Sequence, residues 1–263
     1  MCGRFADYFE TERLVEEFQV QRVIEPPGPS YNVAPTARIG LVREVPAEAG
    51  LARELRGARW GLVLSWSKDP AAGPRLINAR SETVTVKPSF RAAARARRGL
   101  IPAAGYFEWR ANPAGPKTPY FLHPADARPL AMAALYEWWW PPAPAQPPDA
   151  AYPADGPHSA DAARAAGPAI AADAVALAAG AEPLLSATVI TRAATDATGW
   201  VHDRMPLIVP REAWAAWLDP DLRDPAAVQS LIASLPDPEL LPRRVGRAVG
   251  SVKNNGPHLI APA

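Results

Sequence analysis

Apolar segments in this chain are short, and turn-forming residues separate them almost everywhere. Residues 39–42, 51–55, 59–64, 100–103, 129–138 and 184–191 are such segments. Runs of this length, bounded by Gly, Pro and polar residues, predict strands rather than long helices. The first two are spaced to pair with each other. The regular strand-helix alternation of a parallel doubly wound sheet is absent. The pattern predicts an α+β fold with a mixed, curved or barrel-like β-sheet core flanked by helices, in a single domain over residues 1–263.

The helical patterns lie near the ends. Residues 11–20 place Leu14, Val15 and Phe18 at helical spacing, with Thr11 as N-cap. Residues 212–218 follow Pro210 and put Trp214, Trp217 and Leu218 on one face. Asp224 followed by Pro225 is an N-cap with proline at the first helical position, ahead of Val228, Leu231, Ile232 and Leu235. Residues 141–182 differ from the rest, being dominated by Ala, Pro, Asp and Gly. They read as an insertion between two core strands, with a flexible loop at 141–156 and a helix at 161–179.

Composition narrows the classes. Hydrophobic residues make up 48% and charged residues 21%, as in a globular protein. Lys plus Arg number 28 against 27 Asp plus Glu, a formal charge of +1, so any nucleic-acid site must be a local patch. The lone cysteine, Cys2, permits no intramolecular disulfide and no Cys-rich zinc site, and fits a reducing compartment. No apolar run reaches the roughly 18 residues of a membrane span, and the N-terminus does not read as a signal peptide. The expected location is the cytoplasm, on the nucleoid when acting on DNA. With four scattered histidines and no phosphate-binding glycine loop, no metal or organic cofactor is expected.

Chemistry concentrates at the N-terminus, which reads Met1-Cys2-Gly3-Arg4. Methionine is removed when the next residue is small, which would leave Cys2 as a 1,2-aminothiol. Its α-amine, with a reference pKa of about 7.7–8.0, is partly neutral at cellular pH. The amine can form a Schiff base with an aldehyde, and the neighbouring thiol can close onto the imine carbon as a five-membered thiazolidine. Three polar clusters border apolar runs: Asn78-Ala79-Arg80-Ser81-Glu82-Thr83, Gly105-Tyr106-Phe107-Glu108-Trp109 and Val201-His202-Asp203-Arg204-Met205-Pro206. Glu108 lies among aromatic residues, where a carboxyl tends to have a raised pKa and to act as general acid or base. From spacing alone, Asn78, Glu108 and His202 each read more readily as ordinary strand-end or loop residues than as catalytic ones.

These segments together resemble the SOS-response-associated peptidase (SRAP) family of abasic-site processing proteins. The matching blocks are Met1-Cys2-Gly3-Arg4-Phe5, Tyr31-Asn32-Val33-Ala34-Pro35-Thr36, Trp60-Gly61-Leu62, residues 78–83, residues 100–109, His202-Asp203-Arg204-Met205-Pro206 and Val249-Gly250-Ser251-Val252-Lys253-Asn254-Asn255. They stand in the family's order and span almost the whole chain. The resemblance implies that Cys2 forms the thiazolidine with a ring-opened abasic sugar in single-stranded DNA. It implies that Asn78 holds the reacting groups, that Glu108 shuttles protons, and that His202 assists sugar opening and phosphate contact. It further implies that Arg4 and Arg80 touch the DNA backbone. Asn32, Pro35 and Trp66 are expected as further DNA contacts, with Trp66 equally readable as a core side chain. A monomer is expected. Gly99 and Ala104 depart from the family's usual Cys and Asp, and Ser67 stands where some relatives carry a second Trp.

Two basic runs, Arg91, Arg95, Arg97 and Arg98 and then Arg243, Arg244, Arg247 and Lys253, read as solvated faces rather than as DNA contacts. Other readings of Cys2 remain open at this level. One is an N-terminal-nucleophile glutamine amidotransferase, and another a thiol peptidase built on Cys2, His202 and Asn78. A non-enzymatic DNA-binding module is a third. A Schiff base at an abasic sugar also promotes β-elimination, so DNA lyase activity is expected as a companion.

Overall fold

The computed structural model describes residues 2–71, 76–141, 183–194 and 196–263. Its strands are β1 (Phe5–Asp7), β2 (Arg22–Ile24), β3 (Ser30–Val33), β4 (Arg38–Ala47), β5 (Gly50–Trp60), β6 (Asn78–Arg80) and β7 (Arg98–Ala103). They continue with β8 (Gly105–Asn112), β9 (Gly115–Pro124), β10 (Leu130–Trp139), β11 (Leu184–Ala193), β12 (Arg204–Pro206) and β13 (Leu240–Arg244). One sheet has the order β13-β9-β8-β1-β3. The other runs β12-β11-β10-β7-β4-β5-β2, with β6 added parallel to β11. A parallel pairing of β11 with β5, Ser186 to Arg59 and Ala187 to Trp60, closes β5, β4, β7, β10 and β11 into a ring. The expected α+β fold with a curved, barrel-like core is therefore the observed one.

The expected pairing of the first two strand segments is an antiparallel hairpin in which Val42 faces Leu55. Its turn returns through Gly50 at φ +110°, a backbone conformation that glycine adopts without steric cost. The strand expected over 59–64 ends at Trp60. Gly61 takes φ +118° and turns the chain away, its N–H donating to the Ala187 carbonyl at 2.8 Å. Apolar character continues to Leu64 because the segment is buried, not because it is extended in a ladder. The N-terminal helix runs over Thr11–Phe18, so Thr11 is its first helical residue rather than its cap. Glu10 takes the cap position with no side-chain cap bond, and left-handed Gln19 ends the helix. The Asp224 cap is as expected, with its carboxylate accepting from the Ala227 N–H at 2.8 Å and Pro225 in the first turn. The expected insertion falls almost entirely outside the described residues, together with its loop and its 161–179 helix.

Strand periodicity of two sends alternate side chains into separate cores. Leu100, Ala131, Ala133 and Leu135 pack with Leu14, Phe18, Trp214, Trp217, Val228 and Ile232 of the covering helices. Phe18 stacks on Trp214 with centroids 4.6 Å apart. The intervening residues Ile101, Ala103, Met132 and Ala134 face the other way and pack with Cys2, Phe5, Trp60 and Tyr106. Each fully buried side chain of this size stabilises by about 1.5–3 kcal/mol before its entropy cost. The second core holds the N-terminus in place. Of the basic run near the helix Arg91–Ala96, Arg98 corrects the solvated reading. It is buried and donates to the carbonyls of Trp217, Ala94 and Asp219, which close the helices over β7.

Candidate active site

Cys2 is 0% exposed, on the segment that leads into β1. β1 is anchored from both sides. Phe5 pairs with Tyr106 of β8 and Val33 of β3, and the Phe5 ring meets Trp60 edge to face at 5.1 Å. The Phe107 N–H donates to the Arg4 carbonyl at 2.8 Å. The residues after Cys2 thus have little freedom, and Cys2 is set against the strands around it.

Asn78 arrives from the other sheet. β6 lies parallel to β11, with Asn78 beside Val189, and this brings the Asn78 side chain to the N-terminus. Its Nδ2 donates to the main-chain carbonyl of Cys2 at 2.8 Å. Its Oδ1 is buried with no hydrogen-bond partner among the described residues. A buried amide oxygen left this way has a desolvation cost that a later N–H donor would offset.

Glu108 comes from β8, 4% exposed. Burial pushes its carboxyl up to about 7, and the Asp203 carboxylate adds to the rise. Burial likewise drives the Cys2 thiol well above its ordinary range, with the Glu108 charge pushing in the same direction. The two groups are therefore close enough to sense each other, and at neutral pH the thiol is protonated while the carboxyl is divided between its two forms.

Tyr106 was passed over in the sequence. It lies two residues before Glu108, so both side chains project from the same face of β8. Burial, the Cys2 thiolate and the Glu108 carboxylate all raise its phenol, which shares a hydrogen bond with Thr198. The signal was present in the period-two spacing of Gly105-Tyr106-Phe107-Glu108-Trp109 but needed a strand to be read.

His202 lies just before β12, on a segment whose Asp203 charge reaches Glu108. Two contacts compete for its Nδ1: the Arg204 N–H at 3.0 Å and the Asp203 carboxylate at 2.9 Å. The first needs an unprotonated nitrogen and the second a protonated one, so they exclude each other. Burial lowers the imidazole pKa, which favours the neutral ring with Nδ1 accepting from Arg204 and the proton on Nε2. Arg204 itself is held by Glu82 through two bonds, at 2.5 and 3.0 Å, and by the Thr191 carbonyl at 2.6 Å.

Arg4 and Asn32 meet beside this centre. The Arg4 guanidinium donates to the Asn32 Oδ1 at 2.7 Å and to the Val249 carbonyl at 2.8 Å, and lies 6.0 Å from the Trp109 ring centroid. Asn32 is 7% exposed and donates through Nδ2 to the carbonyls of Ser251 and Asn254 at 2.9 and 2.8 Å. The block 249–255 is thus a brace for Arg4 and Asn32, a role not visible in its sequence. Pro35 is half-buried in the turn between β3 and β4, Arg80 is exposed at the end of β6, and Trp66 is 71% exposed. The structure brings Cys2, Asn78 and Glu108 together, with the His202 segment beside them.

The family model described as SOS response associated peptidase (SRAP) matches residues 1–252. The chain belongs to the SRAP family. It is 32% identical over 263 residues to a Bacillus subtilis (strain 168) protein named abasic site processing protein YoqW, with 99% of each chain covered. It is 30% identical over 263 residues to abasic site processing protein YoaM of the same organism, covering 99% of this chain and 97% of that one. Among solved structures, a Bacteroides thetaiotaomicron protein superposes with a TM-score of 0.72 over 100% of both chains at 20% identity, which shows a shared fold. No helix among the described residues is long and apolar enough to cross a membrane.

Proposed function

We propose that this SRAP protein processes abasic sites in single-stranded DNA, with Cys2 as N-terminal residue forming a thiazolidine with the ring-opened sugar. The reading needs Met1 to be removed. The observation that carries it is the convergence on Cys2 of an amide that grips its carbonyl, Asn78, and a buried carboxyl with a pKa of about 7, Glu108.

The chemistry follows from these groups. The neutral α-amine adds to the C1′ aldehyde of the open sugar. Glu108 donates a proton to the departing hydroxyl, water leaves and an imine forms. The thiol sulfur then adds to the imine carbon, and the thiol proton passes through Glu108 to the nitrogen. One water is released, and no electrons are gained or lost overall. Asn78 Oδ1 is free to accept from the newly exposed amine while Nδ2 keeps hold of the carbonyl. A neutral His202, donating through Nε2, suits ring opening and phosphate contact. Arg4 and Arg80 act on the backbone, with Trp66, Asn32 and Pro35 along the strand path, and such contacts carry little sequence preference.

The protonated thiol argues for amine-first attack. Thiol peptidases and amidotransferases rely on a lowered thiol pKa, and this one is raised. Thiazolidine closure also removes the imine that β-elimination requires, so the strand is shielded from cleavage. Lyase activity then belongs to variants that cannot close the ring.

The test is denaturing electrophoresis of the Met1-processed protein with single-stranded DNA carrying one abasic site. A heat-stable, slow-migrating band is expected from wild type and not from Cys2→Ser. Cys2→Ser should instead be trapped by borohydride and should cut the strand. No band from protein whose mass shows Cys2 exposed would overturn the reading in favour of peptidase or amidotransferase chemistry.

A further inference from the structure

β8 and β9 form a ladder whose inner face leads away from Cys2. Glu108 pairs with Tyr120 and Arg110 with Thr118, so Glu108, Arg110 and Tyr120 share that face. At its outer end stands Trp200, two residues before His202. Its ring meets Tyr120 edge to face with centroids 5.0 Å apart, and the Arg110 guanidinium lies 5.0 Å from its centroid. Trp200 is still 45% exposed. An indole in that position adds little to either core, yet it is fixed by two neighbours within one residue's reach of the catalytic strand.

We infer that Trp200, backed by Tyr120 and flanked by Arg110, is a stacking platform for the base of the nucleotide adjoining the abasic residue. The inference rests on the abasic-site reading above. An abasic residue has no base to hold, so binding energy for the surrounding strand must come from phosphates and from neighbouring bases. Every base has a π-face, and stacking on an aromatic side chain is tolerant of sequence. Trp200 lies two residues before His202, whose ring senses the charge at the N-terminus, so the platform stands beside the reacting centre. Arg110 is exposed and on a long flexible stem. An exposed cation–π contact is weaker than a base stack, so an arriving base takes the ring and the guanidinium moves to the adjoining phosphate. Lys117, whose charge reaches His202, adds to the positive potential along the same hairpin.

The experiment measures equilibrium binding of the Met1-processed full chain to a short oligothymidine with a non-reacting tetrahydrofuran residue at its centre. In further probes the thymine on one side or the other is also replaced by tetrahydrofuran. Trp200→Ala should bind the first probe about tenfold more weakly, and Trp200→Phe should recover most of the loss. Removing the base on one side should weaken wild type by a similar factor and leave Trp200→Ala unchanged. Melting temperatures of both variants should match wild type, since Trp200 is half exposed. The inference is overturned if Trp200→Ala binds as wild type does, or if its loss is the same whichever base is absent. A parallel crosslinking assay with a true abasic site separates the two failures. Wild type that crosslinks while Trp200→Ala loses no affinity overturns the platform alone. Wild type that neither crosslinks nor binds overturns the abasic-site reading and the platform with it.

Discussion

The side-chain amide of Asn78 donates to the main-chain carbonyl of Cys2 at 2.8 Å, across a sequence separation of 76 residues. It ties the N-terminal residue to β6 and leaves the Asn78 Oδ1 buried and open for an N–H donor. Asn78→Ala removes both the grip and the acceptor. A neutral hydrogen bond is worth about 1 kcal/mol net, so the crosslinking rate should fall roughly five- to tenfold. Asn78→Asp keeps the acceptor and loses the donor, and should fall between wild type and Ala. Single-turnover crosslinking rates check this, and equal rates in all three proteins would remove Asn78 from the reaction.

Glu108 links rate to pH. Glu108→Gln cannot exchange a proton, and crosslinking should slow by on the order of a hundredfold, the lower range for general acid–base catalysis. In wild type the acid form needed for water loss declines as pH rises through about 7. The descending limb of the pH–rate profile should therefore vanish in Glu108→Gln.

The same carboxyl costs stability at neutral pH. Its folded pKa is raised above the ordinary 4.5, so the native state favours the neutral form. Stability is undiminished below pH 4.5, falls as pH rises from there to about 7, and stays low above. The full cost is at most about 3 kcal/mol. Glu108→Gln should thus melt higher than wild type at pH 8, and the difference should shrink at pH 5. A difference that grew on acidification would contradict the buried neutral carboxyl.

Asn32 carries an expectation about folding. Replacing it with Ala leaves the Ser251 and Asn254 carbonyls and one Arg4 bond without a partner. The expected loss is about 2–3 kcal/mol of stability, read from denaturant midpoints, together with weaker DNA binding as Arg4 loses its support. DNA binding reduced at unchanged stability would instead make Asn32 a direct contact.

Arg80 is exposed and adjoins Asn78, so it serves as a plain electrostatic probe. If it neutralises one phosphate, Arg80→Ala should lower the salt-dependence slope of single-stranded DNA binding by about 0.7. Affinity against log salt concentration checks this, and an unchanged slope removes Arg80 from the backbone contacts.

Much of this was legible along the chain. Short apolar runs with period-two alternation predict a strand-rich fold without any contact being known. Asp224-Pro225 predicts a helix start through bonds that reach only three residues. Cys2 stands out through its position behind Met1 and Glu108 through its aromatic neighbours, whereas Asn78 is singled out only by the family resemblance. The roles of other residues depend on pairings between distant segments. Asn32 reads as a DNA contact in sequence, and only the structure shows that its amide is also held by a block more than two hundred residues away. Arg98 reads as part of a solvated basic run, yet it is buried under the helix pair. Thr11 reads as a cap, but the helix begins on it rather than after it.

By itself the sequence determined the kinds of element, the 1,2-aminothiol available after Met1 removal, and the membership of Cys2, Asn78, Glu108 and His202 in separate polar blocks. These rest on local properties: side-chain period, capping and functional-group chemistry. Only the tertiary structure decided that β1 would lie beside β8 and that β6 would lie beside β11. Those two pairings bury Cys2 against Glu108 and Asn78. The pKa of about 7 at Glu108 follows from that burial, because desolvation acts on a group only once the chain around it has closed.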